Sequence, residues 1–257
     1  KSYTDMDMVN GTGQLVLGRP IYGLYLYKDL GMIESEKDIP AYYDQQGNKK
    51  LLYSMIKSYP YAAGTRMIQD MNQDGVINGD DRYYAGSTLP QAYGGWANEI
   101  MWKGFDLNVL FTYTLGRKII NLYKITSLQY DFRPSTVFVD YANTTFWEKP
   151  GDKADYPIIT SSSRSYTGQF DGAVSSNIER VNYLRLKQLT LGYNFPKEWM
   201  RKINIDGCRL FFTAENLFLL TNYSGVDPEV VDPYTGYDNF MYYPLARKLT
   251  LGLTVKF

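Results

Sequence analysis

Histidine is absent from the 257 residues. Catalysis that needs an imidazole base, including Ser-His-Asp and Cys-His nucleophile activation, is thereby excluded, as is any zinc site with histidine ligands. Cysteine is nearly absent. Cys208 has no intrachain partner and, set beside apolar residues in CRLFF, reads as a small core residue. Net charge is also missing: 27 basic and 27 acidic side chains cancel, so no nucleic-acid surface is advertised. The sequence has no run of about 18 apolar residues, which excludes a transmembrane helix. The opening KSYTDMDMVNG has neither the basic start nor the apolar stretch of a signal peptide, so the chain reads as a truncated mature protein or an internal piece.

Aromatic residues, by contrast, make up 16% of the chain, with 25 Tyr against 12 Phe and 4 Trp. Tyrosine suits surfaces that are apolar on one side and wet on the other, such as membrane-barrel girdles or ring-stacking grooves. Barrel strands need only about 9–11 residues with apolar side chains at alternate positions, so low mean hydropathy does not exclude them. Period-2 patterning is clearest in ARKLTLGLTVKF, where Leu249, Leu251, Leu253, Val255 and Phe257 alternate with polar residues and glycine. In FDLNVLFTYT, Phe105, Leu107, Val109, Phe111 and Tyr113 share a face, and Trp102, Lys103 and Gly104 read as the tight turn of a hairpin. In NYLRLKQLTLGYNF the apolar parity switches from Leu184 and Leu186 to Leu189, Leu191 and Tyr193, which predicts a β-bulge near Lys187 and Gln188. A further strand, RLFFTAENLFLL, follows a short connector opened by Pro196.

The connectors at 102–104 and 196–207 are short, whereas those at 117–176 and 221–244 are long and rich in Tyr, Asn, Asp, Ser and Gly. Short turns alternating with long loops are the pattern of an outer-membrane barrel. The expected fold is therefore all-β, an antiparallel transmembrane β-barrel with long extracellular loops. The alternative is a soluble all-β domain with decorated loops.

One loop carries a metal-type motif. In DMNQDGVINGDD, Asp70, Asn72, Asp74, the Val76 carbonyl, Asn78 and Asp81 fall at calcium-ligand spacing, with Gly75 at the obligatory turn and Ile77 as an inward apolar anchor. Asp81 replaces the usual bidentate Glu, and no amphipathic helix flanks the loop, so a static calcium clip is expected rather than a switch. The competing reading is an Asx-rich turn that holds no metal. Glu215 and Asp106 lie within strands, and no spacing brings two carboxylates to a catalytic separation, so the chain does not read as an enzyme. The segment GRKIINLYKITSLQYDF is expected to contain a short helix.

Seven stretches in order carry a resemblance: GRPIYGLYLYKDLGMIES, AGTRMIQDMNQDGVINGDDRYYAGSTLPQAYGGW, KGFDLNVLFTYTLGRKIIN, FWEKPGDKADYPI, RVNYLRLKQLTLGYNFP, RLFFTAENLFLLTNYSGVDPE and the terminal Phe257. Together they resemble the C-terminal portion of SusC/RagA-type TonB-dependent outer-membrane transporters of Bacteroidetes. The resemblance implies that residues 1–257 hold about six to eight strands of a larger barrel, with the plug domain absent and the calcium-type loop at 70–81 in an extracellular segment. It implies TonB-energised import of an oligosaccharide or peptide with a SusD-like lipoprotein, TonB being engaged through a missing N-terminal region. The open strand edges would be paired with the remainder of the same barrel. Phe257 then resembles the barrel-assembly signal. Candidate substrate contacts are the loop residues Tyr166, Tyr234, Tyr237, Tyr242 and Tyr243, each offering a flat ring and a hydroxyl, although packing of the loops is a rival role for them. The second function class is a soluble β-rich binding module with a dockerin-like calcium loop.

Overall fold

The computed structural model describes residues 8–10, 13–16, 18–20, 22–39, 41–43, 46–51, 61–121, 145–158, 174–232, 235–238 and 243–257. The chain divides into two compact units, one comprising Lys1–Thr88, Ile120–Ile178 and Asp232–Tyr237, the other Leu89–Ile119, Glu179–Val231 and Asp238–Phe257. Tyr166, Tyr234 and Tyr242 lie outside the described residues.

The first unit contains the short strands β1 (Met8–Asn10), β2 (Gly13–Leu15), β3 (Gly23–Tyr27), β4 (Asp29–Met32), β5 (Ala41–Tyr43), β6 (Lys49–Leu51), β7 (Arg66–Ile68) and β8 (Arg82–Ser87). They form a sheet in the order β1-β2-β3-β8 and two separate pairs, β4 with β7 and β5 with β6. GLYLY in β3 is buried along its whole length, and its alternation serves two cores. Leu24 and Leu26 pack with Ala85 and Ile120, while Tyr27 joins Ile33, Ile39, Tyr61, Ile68, Ile77 and Val174. This is burial from water by side chains on both faces of one strand.

The second unit is dominated by an antiparallel meander ordered β13-β12-β11-β10-β9. Its strands are β9 (Ala92–Trp102), β10 (Phe105–Ile120), β11 (Ile178–Asn194), β12 (Gly207–Thr221) and β13 (Lys248–Lys256), with a short helix α1 (Lys197–Arg201) between β11 and β12. At 16 residues, β10 extends on the order of 50 Å. Five strands join this sheet among the described residues. Among the described residues the sheet does not close on itself, and β9 and β13 each pair on one side only.

The β9–β10 hairpin turns on Lys103 and Gly104, both at positive φ (47° and 88°), the two-residue geometry whose twist matches the flanking strands. The expected bulge is present, and its extra residue lies in the partner strand. Between the pairs Leu186–Phe218 and Gln188–Glu215, Asn216 and Leu217 face the single Lys187. Asn216 takes φ 51°, a left-handed conformation that asparagine tolerates, and its side-chain amide donates to the Ala246 carbonyl at 3.1 Å. Arg117–Ile120 continue strand β10, and the rest of the segment expected to contain a short helix, from 122 on, lies outside the described residues. One expectation is corrected. Cys208 is half-buried opposite Val255 in the sheet, on the parity of exposed Leu210 and Phe212, and is not a core residue.

Candidate functional site

The register aligns one apolar face across the meander. Leu249, Leu251, Leu253 and Val255 lie opposite Ala214, Phe212, Leu210 and Cys208, and these in turn meet Leu189, Leu191 and Tyr193 of β11. On the other flank, Phe105, Leu107 and Phe111 lie opposite Trp102, Ile100 and Trp96. This face is unburied: Leu249, Leu251 and Leu253 are 62–73% exposed, and Trp96, Ile100 and Trp102 are 56–64% exposed. Its aromatic rings concentrate toward the short turns, where Phe105 lies tilted against Tyr193 at 4.5 Å and Phe195 meets Tyr193 edge-on at 5.1 Å. A second group lies further along, with Phe111 5.6 Å from Trp96 and 6.2 Å from Phe218. An apolar band bounded by aromatic rings is the lipid-facing surface of a barrel, and water alone would penalise it.

The opposite face is polar and cross-linked. Arg209 donates to both carboxylate oxygens of Asp106, at 3.2 and 2.5 Å, and Asn194 donates to the same group at 3.1 Å, tying β10, β11 and β12 together. Gly192 makes room for this cluster, since a Cβ there would lie 2.5 Å from the Asp106 oxygens. Glu99, Asp106, Asn108 and Arg209 line an open cleft of about 470 Å³. Thr190 and Thr213 share a hydrogen bond of 3.0 Å, and Lys248 faces Glu215 at 4.0 Å. Asp106 is committed to one guanidinium and one amide, which gives it a structural role in this face.

At the far end of the sheet from the turns, the segment after β12 folds onto β11. Arg185 pairs with Asp227 at 2.5 Å and with Glu229 at 2.8 Å, and Lys187 pairs with Glu229 at 2.9 Å. Asp227 also accepts from the amides of Glu229 and Leu245, so one buried carboxylate joins strand, loop and returning chain. Tyr223 donates to Asp238, and Ser224 donates to Glu179 through both its amide and hydroxyl. Burial foremost, then the bond to Asp238, pushes the Tyr223 hydroxyl far above its ordinary range, so it remains a proton donor. Sequence spacing gave no sign of these partners, whose separations run from 15 residues for Tyr223 and Asp238 to 42 for Arg185 and Asp227 and 45 for Ser224 and Glu179.

In the first unit, the 70–81 loop is organised by Asx turns. Asp70 accepts from the amides of Gln73 and Gly75 at 2.7 and 2.8 Å, Asn72 from Asp74, and Asp74 from Val76. Gln73 and Gly75 adopt the positive φ values of 60° and 81° that so tight a loop requires. Ile77 is fully buried in the larger core, as the motif predicts. Asp81 directs its two oxygens to the amides of Met71 and Asn78 at 2.8 and 2.7 Å, capping the loop where it enters β8. Burial pushes the Asp81 carboxyl up, against the lowering effect of those amides. Among the described residues no three Asp, Glu or Cys side chains converge as a metal cluster, so any cation would rely on the Asn and carbonyl oxygens as well.

The two candidate tyrosines among the described residues differ in setting. Tyr237 is half-buried against the Leu24, Leu26, Ala85 and Ile120 core, a packing position, whereas Tyr243 is 93% exposed. Phe257 is 91% exposed immediately after β13.

No family model matches the chain. It is 29% identical over 205 residues to TonB-dependent receptor P3 of Formosa agariphila, covering 76% of this chain and 19% of that protein. With TonB-dependent receptor P26 of the same organism it shares 27% over 256 residues, 96% of this chain and 24% of the relative. With TonB-dependent receptor SusC of Bacteroides thetaiotaomicron it shares 27% over 196 residues, 74% of this chain and 17% of the relative. The chain thus spans a quarter or less of the length of these relatives. The fold matches the RagAB peptide importer in its closed-closed state with a TM-score of 0.67 and 22% identity over 98% of this chain and 25% of that one. The open-open state gives 0.62 and 20%, over 100% of this chain and 25% of that one. The chain is thus similar in sequence, over most of its length, to TonB-dependent receptors, SusC among them, and its fold resembles that of the RagAB importer over nearly all of it.

Proposed function

We propose that this chain is the C-terminal part of the barrel of a TonB-dependent importer that brings a nutrient, an oligosaccharide or a peptide, across the outer membrane with a SusD-like lipoprotein. The observation that carries the proposal is the open five-stranded sheet, apolar and exposed on one face and polar on the other. A soluble binding module would have to leave that apolar face in water, so the second function class finds no support here. In the barrel, the polar face carrying Asp106, Arg209, Thr190 and Glu215 borders the interior, and the remaining strands pair with β9 and β13. The Arg185–Asp227–Glu229 network holds the long loop over the rim, where substrate contacts arise. Tyr243, with an exposed ring and hydroxyl, is suited to such a contact; Tyr237 acts by packing, and Tyr166, Tyr234 and Tyr242 complete the candidate set.

Deletion and complementation test this reading. Loss of the full-length protein should abolish growth on its cognate nutrient, and Tyr243→Ala should slow uptake without lowering outer-membrane abundance. Unchanged uptake in the deletion strain would refute import. The 70–81 loop is proposed as a static calcium clip, with oxygens from Asp70, Asn72, Asp74, Val76, Asn78 and Asp81 as the donor set and the Asx turns as its preformed frame. Chelation should then accelerate proteolysis at 70–81, whereas identical cleavage with calcium and with chelator would leave the Asx turns as the whole account.

A further inference from the structure

The two short connections of the meander share a composition that its interior role does not explain. The helix α1 exposes Trp199 at 56% and, just after it, Ile203 at 59%, while Met200 is buried beneath them. Two large apolar side chains in the open are costly on a turn that meets only water. Around them stand Lys197, Arg201 and Lys202, and the neighbouring hairpin turn contributes Lys103, whose ammonium lies 5.0 Å above the Trp102 ring. Against these four cations the same two connectors carry only Glu198 and Asp206. The Trp102, Phe105, Tyr193 and Phe195 rings lie on the apolar face directly next to these connectors, so the basic patch continues the lipid-facing surface.

We propose that the turn end of the sheet is a binding surface for anionic phospholipid headgroups of the adjoining leaflet, with Trp199 and Ile203 inserted at headgroup depth and Lys103, Lys197, Arg201 and Lys202 paired to phosphates. The inference rests on the outer-membrane reading. Indole and aliphatic groups beside ammonium and guanidinium groups match a layer that is apolar on one side and anionic on the other. A short turn that merely reverses the chain needs neither the exposed Trp nor the excess of cations.

The test uses the full-length receptor in a Cys208→Ser background, reconstituted in vesicles of phosphatidylethanolamine with or without phosphatidylglycerol. Nitroxide labels are placed through Trp199→Cys or Ile203→Cys, with Leu251→Cys and Tyr243→Cys as references for lipid and water. Collisional relaxation by oxygen and by a nickel chelate reads the depth of each label. Labels at 199 and 203 should lie between the two references and move deeper when phosphatidylglycerol is present. Lys197→Gln, Arg201→Gln and Lys202→Gln in combination should erase that difference without altering the Leu251 reference. Nickel access at 199 and 203 equal to that at Tyr243 would overturn the proposal while leaving the barrel intact. So would equal depth at 199 and 203 with and without phosphatidylglycerol. Water access at Leu251 itself would overturn both the proposal and the barrel reading.

Discussion

Leucine and isoleucine line buried cores in the first unit, whereas one face of the second unit exposes its leucines. In the first, Leu24, Leu26, Ile33 and Ile77 are wholly buried, whereas in the second Leu249, Leu251 and Leu253 are mostly exposed. The same side chains, governed by the same transfer free energy, cannot prefer both arrangements in one solvent. The contrast teaches that the second unit is built for a different medium. Its apolar face turns outward to lipid, and its polar groups, from Asp106–Arg209 to Arg185–Asp227, turn away from that face.

The largest expected effect comes from the polar side of that contrast. Asp227→Ala leaves Arg185 buried without its closest counter-ion and should destabilise the second unit by about 3–5 kcal/mol, measured by urea unfolding of the full-length receptor from vesicles. The double replacement Arg185→Met with Asp227→Leu should recover most of that loss, because it removes both charges together. Core truncation in the first unit comes next: Ile77→Ala should cost about 2–5 kcal/mol and loosen the 70–81 loop, seen as faster proteolysis there. On the outer face, Leu251→Arg should cost about 2–4 kcal/mol in a bilayer if the residue lies near the midplane. In a soluble domain the same change at an exposed site would be nearly neutral, so this variant separates the two environments directly. The smallest effect belongs to the bulge. Asn216→Val forces a β-branched residue into a left-handed conformation at about 1–2 kcal/mol, while Asn216→Gly should be tolerated, a pair distinguishable in the same unfolding assay.

Much of the sheet was legible because a lipid face imposes strict period-2 patterning. Leu249 to Phe257 and Phe105 to Tyr113 declare their strands, and Lys103–Gly104 declares the turn between β9 and β10. The parity switch at Leu186 located the bulge, yet it could not reveal that Asn216 in β12 supplies the extra residue, since one strand's pattern does not report its partner's length. That β10 runs on through Ile120 was not legible, because Ile119 and Ile120 suit either period over so short a window. Each packs instead in a core cluster, Ile119 with Val181 and Ile120 with Leu24. Cys208 misled in a similar way, since apolar neighbours indicate a shared face but not whether that face meets protein or lipid. The rim network escaped altogether: nothing local in Arg185 or Asp227 predicts their pairing across 42 residues. The 70–81 motif was legible as a turn because its Asx bonds are local, and Ile77 as its anchor because the position has no other use.

The apolar face of the five-stranded sheet is expected to meet lipid. Photolabelling intact outer membranes with an apolar diazirine that partitions into the bilayer, followed by mass-spectrometric mapping of the full-length receptor, tests it most directly. Adducts should concentrate on Leu191, Phe212, Leu249, Leu251 and Leu253, with Leu24, Leu26 and Ile77 unmodified. Adducts absent from that face, together with its oxidation by hydroxyl radicals generated in the aqueous phase, would contradict the account.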